Sequence, residues 1–294
     1  MMKYRRVRLA QHNKTIHKPK YNYIYIFYIV EHITYLSNIT KKMYKTIINK
    51  QRLISLNEET HTYSLLNSDI QFCSVTEFIG SFFEKFDEHK IALKLTKLHK
   101  YKGKSINDIL QDWEKRRERG TLVHKEIEAF INEVNKHHET LNTKYIDNLD
   151  LKSQQGVKFL QNCNIYKNNL LFPEVRVFSE QLKIAGTIDL MIYNKPKNEI
   201  SLVDWKTNQD IKKNGFKNGT KTPTLQIQDC SFNKYQLQLS MYKYILANFY
   251  NANIKGLYIL HLKENNYNYL NCSYDENTIK DMIKYSQQNI IENN

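Results

Sequence analysis

The chain has 294 residues, of which 41% are hydrophobic, enough for a sizeable core in one large domain. Its formal charge of +14 and pI near 9.3 argue for a polyanionic partner, nucleic acid being the commonest, although heavy use of Asn, Lys, Ile and Tyr is also what A/T-rich codons produce. Cys73, Cys163, Cys230 and Cys272 are scattered with no C-x-x-C pair, which excludes a zinc ribbon and a disulfide-stapled secreted domain and is consistent with reduced thiols inside a cell.

Residues 1–50 read as a basic N-terminal extension. Arg5, Arg6, Arg8 and several lysines precede the first acid, Glu31, a composition shared by mitochondrial targeting segments and by variable tails, and Met43 offers an alternative start. The apolar stretch Tyr23–Val30 is too short to span a bilayer, so no membrane segment is expected. The compartment stays open between mitochondrial, viral, nuclear and cytoplasmic.

A single domain is expected over 51–294. Arg52–Leu56 and Thr60–Leu65 flank Asn57-Glu-Glu as a small hairpin. A helical part follows over 74–163. Ser74 or Thr76 can cap a helix with Val75, Phe78, Ile79, Phe82 and Phe83 on one side, and a second helix starts near Asp87. Ser105 caps a third that continues, bent at Gly120, to about Asn135, and its stripe Val123, Ile127, Phe130, Ile131, Val134 should face a sheet. His124 lies beside that stripe, one turn before Glu128. Taken alone it is a core-edge histidine bonded to a strand carbonyl, and Glu128 is an orienting or surface residue. A helix from about Tyr145 to Asn162 closes this part.

The stretch 170–262 carries the chemistry. Leu171–Phe178, Ile184–Tyr193 and Glu199–Lys206 are rich in β-branched and aromatic residues and form a meander. A turn centred between Gln181 and Leu182 sets Glu174 opposite Asp189, and one centred between Pro196 and Lys197 sets Asp189 opposite Asp204. Period-2 alternation then puts three carboxylates in one row, with Lys206 on the face of Asp204. Such a row is costly to bury unless a divalent cation sits among the acids. Apolar residues on both faces, Ile188, Leu190 and Ile192 with Leu202, Val203 and Trp205, argue for a covered sheet over an exposed hairpin.

After Lys206 a polar stretch runs to Cys230 and includes Lys212, Lys213, Lys217 and Lys221. It reads either as a solvated loop or as a flexible phosphate-binding flap, with 226–230 a short ordered piece. Phe232–Tyr250 is a helix on which Gln238 and Tyr242 project together at i, i+4, placed to hold Lys206 or to touch a DNA backbone. Lys255–Leu262 is the closing strand. Residues 275–292 form an amphipathic helix expected on the sheet edge.

An acid on one strand, then a strand ending in acid-x-Lys, resembles the PD-(D/E)XK nuclease superfamily, with Asp189 as its first Asp and Asp204-Trp205-Lys206 as its D/E-x-K. Gly120-Thr-Leu-Val-His124 and Gln238-x-x-x-Tyr242 are similar to the histidine helix and Q-x-x-x-Y helix of its RecB-like exonuclease branch, which includes mitochondrial genome maintenance exonucleases and viral and phage relatives. The four motifs agree in order and rough spacing over about residues 51–265. The resemblance implies an α/β (α+β) fold with a restriction-endonuclease-like core: a central mixed sheet of meander, helix and closing strand, flanked by helices. It also implies a Mg2+- or Mn2+-dependent DNA exonuclease of replication, repair or recombination, acting on single-stranded or duplex ends. Asp189, Asp204, Lys206 and Glu174 would be catalytic, and His124, Asp189, Asp204 and the Trp205 carbonyl would hold the metal. Gln238, Tyr242 and the four loop lysines would bind substrate. Members with an iron–sulfur cluster carry clustered cysteines, and none is expected here. Two alternatives stay open: a structure-specific or restriction-type endonuclease on the same fold, and a nuclease-like domain kept for DNA binding alone.

Overall fold

The computed structural model describes residues 44–137, 146–163, 165 and 168–292. The basic run at Arg5, Arg6 and Arg8, the apolar stretch Tyr23–Val30, Met43 and Tyr145 lie outside the described residues. The fold is mixed α and β, built on an eight-stranded mixed sheet.

Residues 44–50, assigned above to the extension, are helical, and Ile47 is fully buried in the core, so the packed chain begins before residue 51. The strands β1 (Ile54–Asn57), β2 (Thr62–Leu65) and β3 (Gln71–Ser74) form an antiparallel ribbon. Helices α1 (Val75–Gly80), α2 (Glu88–Leu95) and α3 (Ile106–His137) follow. Each begins where a side chain takes an orphan backbone donor: Ser74 Oγ accepts from Glu77 N at 3.0 Å and Asp87 Oδ1 from Lys90 N at 2.9 Å. At α3 the exchange is reciprocal, Ser105 Oγ accepting from Asp108 N at 3.1 Å while Asp108 Oδ2 accepts from Ser105 N at 2.7 Å. The helix runs unbroken through Gly120, where a bend was expected. Next comes α4 (Leu151–Asn162), which Asp150 caps by accepting from Lys152 N at 2.8 Å.

The meander is β4 (Asn169–Ser179), β5 (Ile184–Asn194) and β6 (Glu199–Lys206), followed by α5 (Ser231–Tyr250), β7 (Ile254–Leu262), β8 (Tyr267–Asn271) and α6 (Glu276–Glu292). The pairs Pro173↔Leu190 and Val175↔Ile188 set Glu174 opposite Asp189, and Leu190↔Val203 sets Asp204 as the next partner of Asp189, as the turn residues predicted. β7 joins β6 in parallel, the crossover being carried by α5.

Both sheet faces are covered. Val123, Ile127, Phe130 and Ile131 of α3 and Val157 and Leu160 of α4 pack on Leu190, Val203 and Trp205. On the other face α1, α5 and α6 pack through Ile79, Leu237, Met241, Ile245, Ile279 and Met282 on Val175, Val177, Met191 and Leu202. α6 therefore lies beside α5 and not on the sheet edge, because Ile279 and Met282 are deeply buried and a one-layer edge has no groove to take them.

The expected strict alternation fails at one place. Val175 and Val177 face the α5 layer, yet in the other half of β4 it is Leu171 that faces α3 and α4, while Leu170 and Phe172 turn to α5. β5 inverts likewise between Ile188 and Leu190. The inversion falls on Glu174, a non-glycine at φ 49° inside a strand. That left-handed conformation costs about 1–2 kcal/mol and persists only where the surroundings impose it.

Candidate metal centre

The notch that holds the site is made by strand pairing. On one side β5 pairs with β4 along its length. On the other, Ile184 and Ala185 pair with β3 and Leu190–Asn194 with β6, which leaves Gly186–Asp189 between two neighbours. The Asp189 side chain fills the gap: its Oδ2 accepts from Trp205 N at 2.7 Å, a side chain standing in for a ladder bond.

His124 reaches this notch from α3, because the buried stripe Val123, Ile127, Ile131 holds its helix flat on the sheet. Its Nδ1 lies 3.6 Å from Asp189 Oδ1. His124, Glu174 and Asp189 each offer a donor atom within 4.8 Å of the others, the one such three-donor group among the described residues. Two donors on one divalent cation stand no farther apart than twice a metal–ligand distance of about 2.0–2.6 Å, so this spacing suits a shared ion.

The charge states agree. Burial pushes the Glu174 carboxyl well above its ordinary range, with Asp189, Glu128, Asp204 and Glu58 adding repulsion. Burial also raises Asp189, against the pull of Lys206 and of the Trp205 N–H. The His124 imidazole goes the other way, held down to about 4 by burial and by the Lys206 charge, so at neutral pH it is an unprotonated donor facing the Trp205 carbonyl. Glu128, read from sequence as an orienting or surface residue, contributes to the field on Glu174.

Asp204, expected in the same row, turns to the α5 side. Lys206 Nζ lies 2.6 Å from its Oδ2 and Gln238 Nε2 3.5 Å from its Oδ1. The Asp204 carboxyl is buried and pushed up to about 6, burial outweighing the Lys206 charge. Oδ2 has the ammonium as an ion-pair neighbour but no hydrogen bond of normal geometry, a buried acceptor with capacity to spare.

Lys206 has a second partner that the sequence did not reveal. Its Nζ sits 4.4 Å from the centre of the Tyr235 ring, one helical turn before Gln238 on α5. A Tyr at i−3 from Gln238 was the available signal. Tyr242 does something other than expected: it is buried, its ring against Gly186, and its phenol is driven far up by burial. A buried ring cannot hold a DNA phosphate, so Tyr242 shapes the notch from below. A Cβ at position 186 would meet Tyr242 Cε1 at 2.7 Å and its hydroxyl at 2.8 Å. Gly186→Ala should therefore lower stability by about 1–3 kcal/mol, the range of core overpacking, as read in a urea melt. Unchanged stability would show that the Tyr242 ring is free to move aside.

The lysine loop is fastened and does not hang as a free flap. Lys152 Nζ donates to Thr207 O at 2.5 Å and buried His261 meets Asn208 O at 2.6 Å. Thr220 N and Thr224 Oγ1 donate to Phe82 O at 2.8 and 3.0 Å. Three of its lysines are engaged by the protein, Lys217 with Glu84, Lys221 over the Phe82 ring and Lys213 over the Phe232 ring at 5.8 Å, and both Lys212 and Lys213 are exposed. No helix among the described residues is long and apolar enough to cross a membrane. No model of a known protein family and no curated protein matches the chain.

Proposed function

We propose that this chain is a Mg2+- or Mn2+-dependent deoxyribonuclease of the PD-(D/E)XK type, acting as an exonuclease in DNA replication, repair or recombination. One observation carries the proposal: three donors of mixed nitrogen and oxygen chemistry converge within 4.8 Å, beside a buried carboxylate–lysine pair on the adjoining strand. The donor set fits a divalent cation, since Glu174 and Asp189 repel one another and Asp204 Oδ2 has unused acceptor capacity. A cation held by His124, Glu174 and Asp189, with Asp204 alongside, would neutralise phosphate charge and acidify a bound water.

The remaining work falls to the chain itself. Lys206 is held between Asp204 and the Tyr235 face, and its pKa stays above its ordinary value because those neighbours outweigh burial, so it remains charged at any working pH. From there it can orient a water or donate to a phosphate oxygen whose charge grows in the transition state. Gln238 fixes Asp204, and Asp204 fixes Lys206. Lys212 and Lys213, both exposed, would meet backbone phosphates.

Labelled linear and covalently closed circular DNA, incubated with Mg2+, Mn2+ or chelator, tests this. Linear DNA should be degraded from its ends only with metal, and closed circles should survive. Cutting of circles would assign an endonuclease on the same fold. Metal-independent binding with no cleavage of either would assign a binding-only domain.

A further inference from the structure

Phe216 is the most exposed large hydrophobic side chain among the described residues, entirely in solvent. It does not sit on a loose chain. The limbs on either side are laced together: Phe232 N donates to Lys212 O at 3.0 Å, Asp229 N to Lys217 O at 2.7 Å and Gly219 N to Ile227 O at 2.9 Å, and Asn218 bridges Gln228. Gly215 is part of the lacing, since a Cβ there would stand 2.3 Å from Asp229 O. The backbone is thus built to hold one aromatic ring outward.

What surrounds the ring says what it meets. From Ile211 to Gln228 there are four lysines and no acid; flanking Phe216 in the chain, Lys212 and Lys213 are exposed, Lys217 is exposed but ion-paired with Glu84, and Asn214 and Asn218 are exposed. A flat apolar face among cations and amides complements a chain with negative charge outside and planar, unpaired rings inside. Double-stranded DNA offers the charge but keeps its bases stacked, whereas a single strand offers both. The loop also leaves directly from β6, the strand carrying Asp204 and Lys206.

We infer that Phe216 is a base-stacking residue for single-stranded DNA, presented by a pinned, lysine-bearing loop. It deepens the nuclease proposal by naming the form of substrate that this loop accepts, and it rests on that proposal. Lys212 and Lys213 hold the phosphates, and Phe216 stacks on a base that is unpaired when it arrives.

Binding of labelled oligothymidylate and of a blunt duplex, measured in Ca2+ by fluorescence anisotropy, separates the outcomes. Phe216→Ala should weaken single-strand binding about tenfold, the loss of one stacked base, and leave blunt-duplex binding nearly unchanged. Phe216→Trp should restore it, and a strand containing 2-aminopurine should change its emission on binding the wild type but not Phe216→Ala. The ring is so exposed that neither change threatens the fold. Single-strand affinity equal in wild type and Phe216→Ala overturns the stacking role alone. Absence of DNA binding by the wild type overturns the nuclease proposal with it. Phe216-dependent binding to phosphatidylserine vesicles, with DNA binding indifferent to the ring, assigns the loop to a membrane surface and overturns the inference.

Discussion

Replacing Asp189 by Asn should abolish divalent-cation binding and DNA cleavage together while the fold survives. The Asp189 carboxylate has two duties: it belongs to the three-donor group with His124 and Glu174, its Oδ1 being the oxygen 3.6 Å from His124 Nδ1, and its Oδ2 accepts from Trp205 N. An asparagine of the same shape can keep the backbone bond through its carbonyl oxygen but brings no charge to a cation. It also removes the Asp189 share of the repulsion that adds to burial in raising Glu174, so the protein without metal should melt no lower than wild type. Lys206→Ala should give the opposite split. It removes no donor, and deleting a positive charge beside the donors leaves cation affinity unchanged or slightly tighter. Its cost should appear in turnover, about 10²- to 10³-fold, as for loss of one preorganised contact to transition-state charge. Titration calorimetry with Mn2+ and single-turnover cleavage measure the two quantities separately. Full Mn2+ affinity in Asp189→Asn would remove Asp189 from the metal centre, and wild-type cleavage by Lys206→Ala would remove it from the chemistry.

Cation affinity should also climb with pH, in a range set by the raised carboxyls. A cation binds carboxylates only in their charged form, and the donors Glu174, pushed up to about 8, and Asp189 hold protons above the ordinary carboxylate range, as does Asp204 alongside them, up to about 6. Binding must expel those protons, and affinity rises up to tenfold per pH unit for each proton released. His124 releases none, being neutral well above its value of about 4. Stability of the metal-free protein follows from the same shifts. A carboxyl with a raised folded pKa stabilises fully below its unfolded value and loses that contribution as pH rises through the folded one. His124, depressed from 6.5, works in reverse: its contribution is present above 6.5 and lost as pH falls toward 4. The two oppose each other below pH 6.5; above it His124 no longer contributes, and Glu174, pushed up to about 8, carries the slope through neutrality. In chelator the melting temperature should therefore fall as pH is raised beyond 6.5, and Mn2+ should cancel the fall. A flat profile in chelator, or proton-free binding in buffers of different ionisation heat, would falsify this assignment of the protons.

Local chemistry was enough to find the cap at Ser105, to narrow the first cap to Ser74 or Thr76, of which Ser74 is the one used, to start a helix near Asp87, and to find the buried stripe of α3 and the register of the meander. Caps need only a side-chain oxygen three residues from an orphan N–H, and a register needs only the turn and the period of the strand. The sequence by itself therefore placed Glu174 opposite Asp189 and Asp189 opposite Asp204. It could not say which way those side chains turn, because that depends on contacts far apart in the chain. Glu174 in a left-handed conformation inverts the strand faces, so the acids do not form one straight row. Tyr235 under Lys206, Tyr242 buried on Gly186, α6 docked beside α5 and the lacing of the lysine loop onto Phe82 are likewise decided between elements. A residue's period tells which of two faces it prefers, and only the packed neighbours on both faces determine what it touches there.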